Sequence, residues 1–174
     1  MGGTKGKSTA KRAILDPVVE QRILDAADPI TERPAIWLMM KVGMHPENLI
    51  RLAGKNLQLD EQGHWLQFRR AKNDVPRREL LPQDIGEGLV RFLLRRGRPR
   101  THQGYWEMAR RIGKRARAGV EVTPMVLRHT ACVNFLRQYR DHTDRLDLVA
   151  GRMGCARAIV IQNYLDMEEW ERTR

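Results

Sequence analysis

Cysteine is scarce: Cys132 and Cys155 are the only two among 174 residues. They lie far apart and form no metal-ligand spacing, which excludes a disulfide-stapled scaffold and a zinc module. The reading is reduced thiols in a cytoplasmic protein. Aromatic residues make up 6% of the chain, too few for the stacking platform that single-stranded nucleic acid requires, so an RNA-binding role falls behind. No apolar run is long enough to cross a bilayer, and neither a signal peptide nor a lipidation motif is present, which sets aside a membrane partner. No internal repeat is evident.

Acidic residues are also in deficit, with 21 Asp and Glu against 32 Lys and Arg, a formal net charge of +11. Such a balance points to a polyanionic partner. Hydrophobic residues reach 41%, enough for a core at this length, and one domain is the natural expectation. Residues 1–12 read as a flexible basic leader.

The periodicity then predicts mostly helix. Asp16-Pro17 opens a first helix with Val19, Ile23, Ala26 and Ala27 buried, and Thr31 caps a second that runs to Gly43. Pro46 starts a short third helix. Three strands follow, Asn56 to Asp60, His64 to Arg70 and Arg77 to Leu81, forming a small antiparallel sheet. Helix resumes at Asp84 and ends near Gly97. The segment Arg95-Arg96-Gly97-Arg98-Pro99-Arg100 reads as a basic break that no core could absorb. A further helix buries Tyr105, Ala109, Ile112 and Ala116. Leu146, Val149, Ala150 and Met153 mark another, closed by Gly154 as C-cap. Residues 156–163 lead to Tyr164 on a short helix or turn, and residues 167–174 form a mixed-charge tail.

One stretch organises the rest: Thr123-Pro124-Met125-Val126-Leu127-Arg128-His129-Thr130. Thr123 is a good N-cap and Pro124 is pre-set for a first helical turn. Leu127, Ala131 and Phe135 form a buried row, and Arg128 and His129 flank it, pointing outward beside the free N–H groups of the first turn. That corner suits an anion.

These residues resemble the His-x-x-Arg-His motif of the tyrosine recombinase (phage integrase) family. Met153-Gly154-Cys155 followed by Tyr164 is similar to that family's Leu-Gly-His and nucleophilic tyrosine, with the tyrosine nine positions after the Gly-His site. Upstream, Val42-Gly43-Met44-His45-Pro46-Glu47-Asn48-Leu49 resembles its Gly-Leu/Met-Arg-x-x-Glu-Leu. The likeness runs from about Ile14 to Tyr164 and corresponds to the catalytic domain, residues 13–174, without the separate N-terminal core-binding domain that family members usually carry. The fold it implies is mostly α with a small three-stranded antiparallel β-sheet.

What the resemblance implies chemically is cleavage of a DNA phosphodiester by Tyr164, leaving a 3′-phosphotyrosine and a free 5′-hydroxyl, with no metal or other cofactor. Arg128 would clamp the phosphate, Lys72 would match the β-hairpin lysine that protonates the leaving oxygen, and His129 would orient the site. Three positions depart from the pattern: His45 replaces the first arginine, Met125 the first histidine and Cys155 the second. Loss of one transition-state donor typically costs on the order of 10²–10³ in rate, so cleavage is expected to be impaired.

Arg69, Arg70, Arg77 and Arg78 around the sheet, with Arg110, Arg111, Lys114 and Arg115, are the expected contacts to double-stranded DNA, mostly through its backbone. Trp170 in the tail is a candidate anchor for self-association on DNA. Two functions follow, a recombinase domain that cuts and rejoins DNA near the nucleoid, or a degenerate descendant that binds or bridges DNA without cutting.

Overall fold

The structure, a computed structural model, describes residues 13–69 and 76–172, with side chains of the final helix described as far as Tyr164. Arg70, Lys72 and the basic leader lie outside the described residues, as does the side chain of Trp170. The chain runs α1 (Pro17–Ala26), α2 (Arg33–Lys41), α3 (Pro46–Arg51), a 3-10 turn (Gly54–Asn56), β1 (Leu57–Asp60), β2 (Gly63–Arg69) and β3 (Pro76–Leu81). It continues through α4 (Gln83–Leu94), α5 (His102–Arg115), α6 (Pro124–Gln138), α7 (Arg145–Met153) and α8 (Arg157–Arg172). The fold is mostly helical with one three-stranded antiparallel sheet in the order β1-β2-β3.

Local chemistry sets most boundaries. Asp16 caps α1 by accepting from Val19 N–H, and Thr123 caps α6 by accepting from Val126 N–H, each followed by proline at the first helical position. Thr31 does not cap α2. Its N–H donates to Asp28 Oδ1 at 2.7 Å within a turn, and Glu32 takes the cap position without a side-chain bond. Glu32 is instead committed elsewhere: the carboxylate is buried and binds Arg111 and Arg115 of α5.

The core has two connected parts. A larger cluster packs α1, α2, α4 and α5 on the sheet, with Ile36, Leu38, Met39 and Met40 of α2 fully buried. A smaller one joins α6, α7 and α8 through Ala131, Phe135, Val149, Met153, Val160 and Tyr164. In α6 the row Leu127, Ala131 and Phe135 is buried. The tail is not separate in secondary structure: α8 continues unbroken past Tyr164 to Arg172, placing the tyrosine in mid-helix.

The basic break contains one exception. Arg98 is only 6% exposed and donates to Leu52 O at 2.7 Å, fastening the α4–α5 connection to the end of α3. A backbone carbonyl can take a guanidinium inward where composition alone predicts exposure. Burial lowers the Arg98 guanidinium below its ordinary value and pushes the neighbouring Tyr105 phenol up to about 12.

Candidate functional site

Arg128 is where the three sequence motifs meet. Its side chain points inward, not outward as the helix pattern alone suggests. Nη1 donates to Gly43 O and Nη2 to Met153 O, both at 2.5 Å. One guanidinium therefore joins the start of α6 to the turn before His45 and to the end of α7 just ahead of Gly154-Cys155. Burial lowers its proton affinity, and the nearby Tyr164 hydroxyl and Cys155 and Cys132 thiols oppose that shift.

The turn at Gly43 needs glycine twice over. Its φ is +70°, and an added Cβ would sit 2.8 Å from Met153 Sδ. Gly154 closes α7 in the left-handed conformation at φ +66°, as a C-cap glycine should.

Arg128 opens onto a pocket of about 330 Å³ lined by His45, Glu47, Arg51, Arg77, Arg152 and His102, among others. His45 caps α3, its Nδ1 accepting from Glu47 N–H at 3.3 Å. That bond requires an unprotonated Nδ1, so the capped ring offers its proton from Nε2. His102, at the start of α5, approaches with ring centroids 5.2 Å apart and shares Glu47 through Nε2···Oε2 at 3.0 Å. Hydrogen bonds from His102 and Arg51 hold the Glu47 carboxyl below its usual value. Met125 stands 52% exposed at the pocket edge, and Cys155 is half-buried beside the smaller core cluster.

Tyr164 is placed differently. It is 7% exposed, packs in the smaller core cluster, and its hydroxyl lies 2.7 Å from His129 Nδ1. Neither residue is among those lining the pocket. His129 follows Arg128 in sequence and Tyr164 lies within electrostatic reach of Arg128, but the Tyr164 hydroxyl faces His129. Lys72 lies outside the described residues, between the end of β2 at Arg69 and the start of β3 at Pro76. Asn48 Nδ2 donates to Arg69 O at 3.0 Å, which ties the end of β2 to α3.

The arginines expected on DNA are dispersed. Arg77 and Arg78 alternate across the sheet as strand geometry demands. Arg77 turns into the pocket wall against Glu79 and Arg152 O, whereas Arg78 stacks 3.9 Å over Trp65 and pairs with Asp60. Arg69 is exposed at the end of β2. On α5, Arg111 and Arg115 are tied to the buried Glu32, because a buried carboxylate needs partners, and Arg110 pairs with Glu121. Lys114 is exposed and lines a separate hollow with Arg110. At about 1.5 Å per residue along a helix, Lys114 is roughly 18 Å from His102 on the pocket rim. The α5 basic group and the Arg128 pocket are thus distinct surfaces.

Sequence reading missed His102, Glu79 and Arg152. His102 follows the Thr101 N-cap, a detectable helix start, but nothing local points it at position 45. The other two meet only through tertiary packing.

No family model matches the chain, and no curated protein matches it. Solved structures do match. The XerA recombinase superposes with a TM-score of 0.70 at 21% identity over 93% of this chain and 65% of that one. The XerH site-specific recombinase, in a post-cleavage complex with palindromic difH substrate, gives 0.69 at 18% identity, covering 97% and 55%. The Tn1549 transposon integrase in complex with transposon right end DNA gives 0.64 at 18% identity, covering 97% and 67%. This chain has the tyrosine recombinase catalytic-domain fold. It spans between about half and two thirds of the length of the structures it matches.

Proposed function

We propose that this chain binds double-stranded DNA, takes a backbone phosphodiester into the Arg128 pocket, and cleaves it slowly through Tyr164. The observation that carries the reading is the convergence on Arg128 of Gly43 and Met153, which brings the His45 turn, the α6 motif and the Gly154-Cys155 corner to one pocket. The fold, shared with recombinases and an integrase solved on DNA, supports it. A cytoplasmic, nucleoid-associated location follows from that partner.

In the proposed step the Tyr164 oxygen bonds to phosphorus and the bond to the 5′-oxygen breaks, leaving a 3′-phosphotyrosine. With Nδ1 unprotonated, His129 accepts the phenol proton across the 2.7 Å contact. Lys72 is the proposed donor to the departing 5′-oxygen. Arg128 stabilises charge on the non-bridging oxygens. His45, Met125 and Cys155 stand where the resemblance expects stronger donors, so the rate is low.

A second reading, a descendant that binds DNA without cutting, is favoured by one observation: the Tyr164 hydroxyl is buried against His129 outside the pocket lining. Both readings require duplex binding through phosphates. Fluorescence anisotropy with a labelled duplex is expected to show affinity falling steeply from low to physiological salt, with single strands bound less well. A salt-insensitive affinity would remove the phosphate-pocket reading altogether.

A further inference from the structure

We propose that Trp106 and Met125 form a deoxyribose subsite beside the phosphate pocket, seating the sugar next to the phosphodiester held at Arg128. The inference rests on that pocket being a phosphodiester site. A second hollow, of about 400 Å³, adjoins the first: His45, His102, Met125 and Arg128 line both. Beyond that shared wall it is bounded by Trp106, Pro46, Pro124, Gln103 and Thr123. A phosphodiester carries a sugar on each side. A phosphate at Arg128 therefore brings a sugar into a space that adjoins it, and this hollow is such a space.

The far side of the hollow suits carbon rather than charge. Pro46 and Pro124 hold the first positions of α3 and α6 and have no backbone N–H to give an anion. Met125 is 52% exposed. A single exposed methionine is ordinary, but this one shares the hollow with the half-buried Trp106. A thioether chain adjusts its shape to a neighbour, and an indole gives a broad, rigid face. Trp106 stands one turn after His102 on α5, about 6 Å farther along the axis, so the two project from the same side of the helix. One turn further, the Arg110 guanidinium carbon lies 5.1 Å from the Trp106 ring centre, and Arg110 pairs with Glu121 at 3.2 Å. An indole restrained in this way loses little further freedom on meeting a ligand.

The geometry of a duplex selects the sugar over the base. Bases are paired and stacked inward, whereas sugars lie on the outside of each strand beside the phosphates, where most protein–DNA hydrogen bonds fall. A chain docked through a phosphate therefore meets the carbon face of a deoxyribose first. The two neutral polar side chains of the lining are engaged along their own helices: Gln103 donates to Glu107 Oε1 at 2.9 Å, and the Thr123 hydroxyl accepts from Val126 N–H at 3.2 Å. Away from the shared wall, the hollow thus meets a ligand chiefly through Trp106 and Met125.

The test requires no knowledge of a target sequence. Two signals of the full chain are followed by NMR, the Arg128 side-chain Nε–H and the Trp106 indole N–H, the latter one of four tryptophans. Arg128→Lys and Trp106→Phe identify them by their loss. Three ligands are added separately: dimethyl phosphate, a phosphodiester bearing one deoxyribose and no base, and a dithymidine phosphodiester. The proposal expects Arg128 to respond to all three and Trp106 only to the two that carry sugar. An equal Trp106 response to dimethyl phosphate, or a response to the dithymidine diester alone, overturns the sugar assignment. Movement of Arg128 without Trp106 in every titration overturns the subsite and leaves the phosphate reading standing; movement of neither overturns both. Trp106→Ala and Met125→Ala are each expected to weaken binding of the sugar-bearing diester about five- to eightfold, as loss of about 40–50 Å² of apolar contact would, with dimethyl phosphate bound as before. Met125→Ala, a surface change, carries this arm alone if Trp106→Ala melts early. Unchanged affinity for the sugar-bearing diester in the variants that melt normally overturns the proposal.

Discussion

Replacing Arg128 by lysine isolates what the planar fork contributes. In the structure the guanidinium spans two carbonyls, Gly43 O and Met153 O, from segments 85 and 25 residues away in sequence. Lysine keeps the charge, but its compact ammonium cannot hold both carbonyls in the same geometry. At least one charge-assisted hydrogen bond is lost, worth about 1.5–3 kcal/mol. For a domain of this size each kcal/mol shifts Tm by about 2–4 °C, so a fall of roughly 3–12 °C is expected in differential scanning calorimetry. An exposed arginine with no such partners would change stability by only about 0.5 kcal/mol. A Tm within about 1 °C of the parent would refute the view that Arg128 binds the three motifs together.

Other consequences are equally direct. Burial acts to raise the Glu32 carboxyl, but hydrogen bonds from Arg111, the Asp28 backbone N–H and Arg115 hold it below its ordinary 4.5. Its folded value is thus lower than its unfolded one, so its stabilisation is complete above about pH 4.5 and is lost as pH falls through the folded value. In urea titrations, Glu32→Gln should therefore cost about 1–3 kcal/mol at pH 7 and noticeably less at pH 3. Gly43→Ala, at positive φ and against Met153, should cost about 1–3 kcal/mol in the same assay. Gly151→Ala, in α7 with nothing within 4 Å of the added carbon, should raise stability by about 0.5–1 kcal/mol. Tyr164→Phe forfeits the His129 contact and should lower stability by about 0.5–1.5 kcal/mol with duplex binding retained.

Features written in local chemistry were legible in sequence. Asp16-Pro17 and Thr123-Pro124 announce helix starts, Gly154 announces a stop, and the strand patterns ending at Asp60 and starting at His64 announce a hairpin. Features decided by distant partners were not. Arg98 is buried because Leu52 O accepts it, and Glu32 is buried because α5 supplies two arginines. Arg111 and Arg115 look like a DNA-facing stripe only while that carboxylate is out of sight. In the pocket, the motifs around Arg128, His45 and Tyr164 were readable as spacing, yet the inward turn of Arg128 and the Tyr164–His129 pairing depend on how α6, α7 and α8 pack. Arg152 carried no sequence signal because its meaning comes from Glu79 and Tyr139, 73 and 13 positions away.

The central claim is that Tyr164 becomes joined to a DNA phosphate held at Arg128. It is tested most directly with a labelled duplex nicked just beyond the scissile phosphate, so that cleavage releases a short strand and traps the adduct for a denaturing gel. A set of duplex sequences is run beside the parent chain, Tyr164→Phe and His45→Arg. The account predicts a slow covalent adduct in the parent chain, none with phenylalanine, and more with arginine at position 45. Duplex binding without an adduct in either the parent or His45→Arg would contradict it and establish the non-cutting descendant instead.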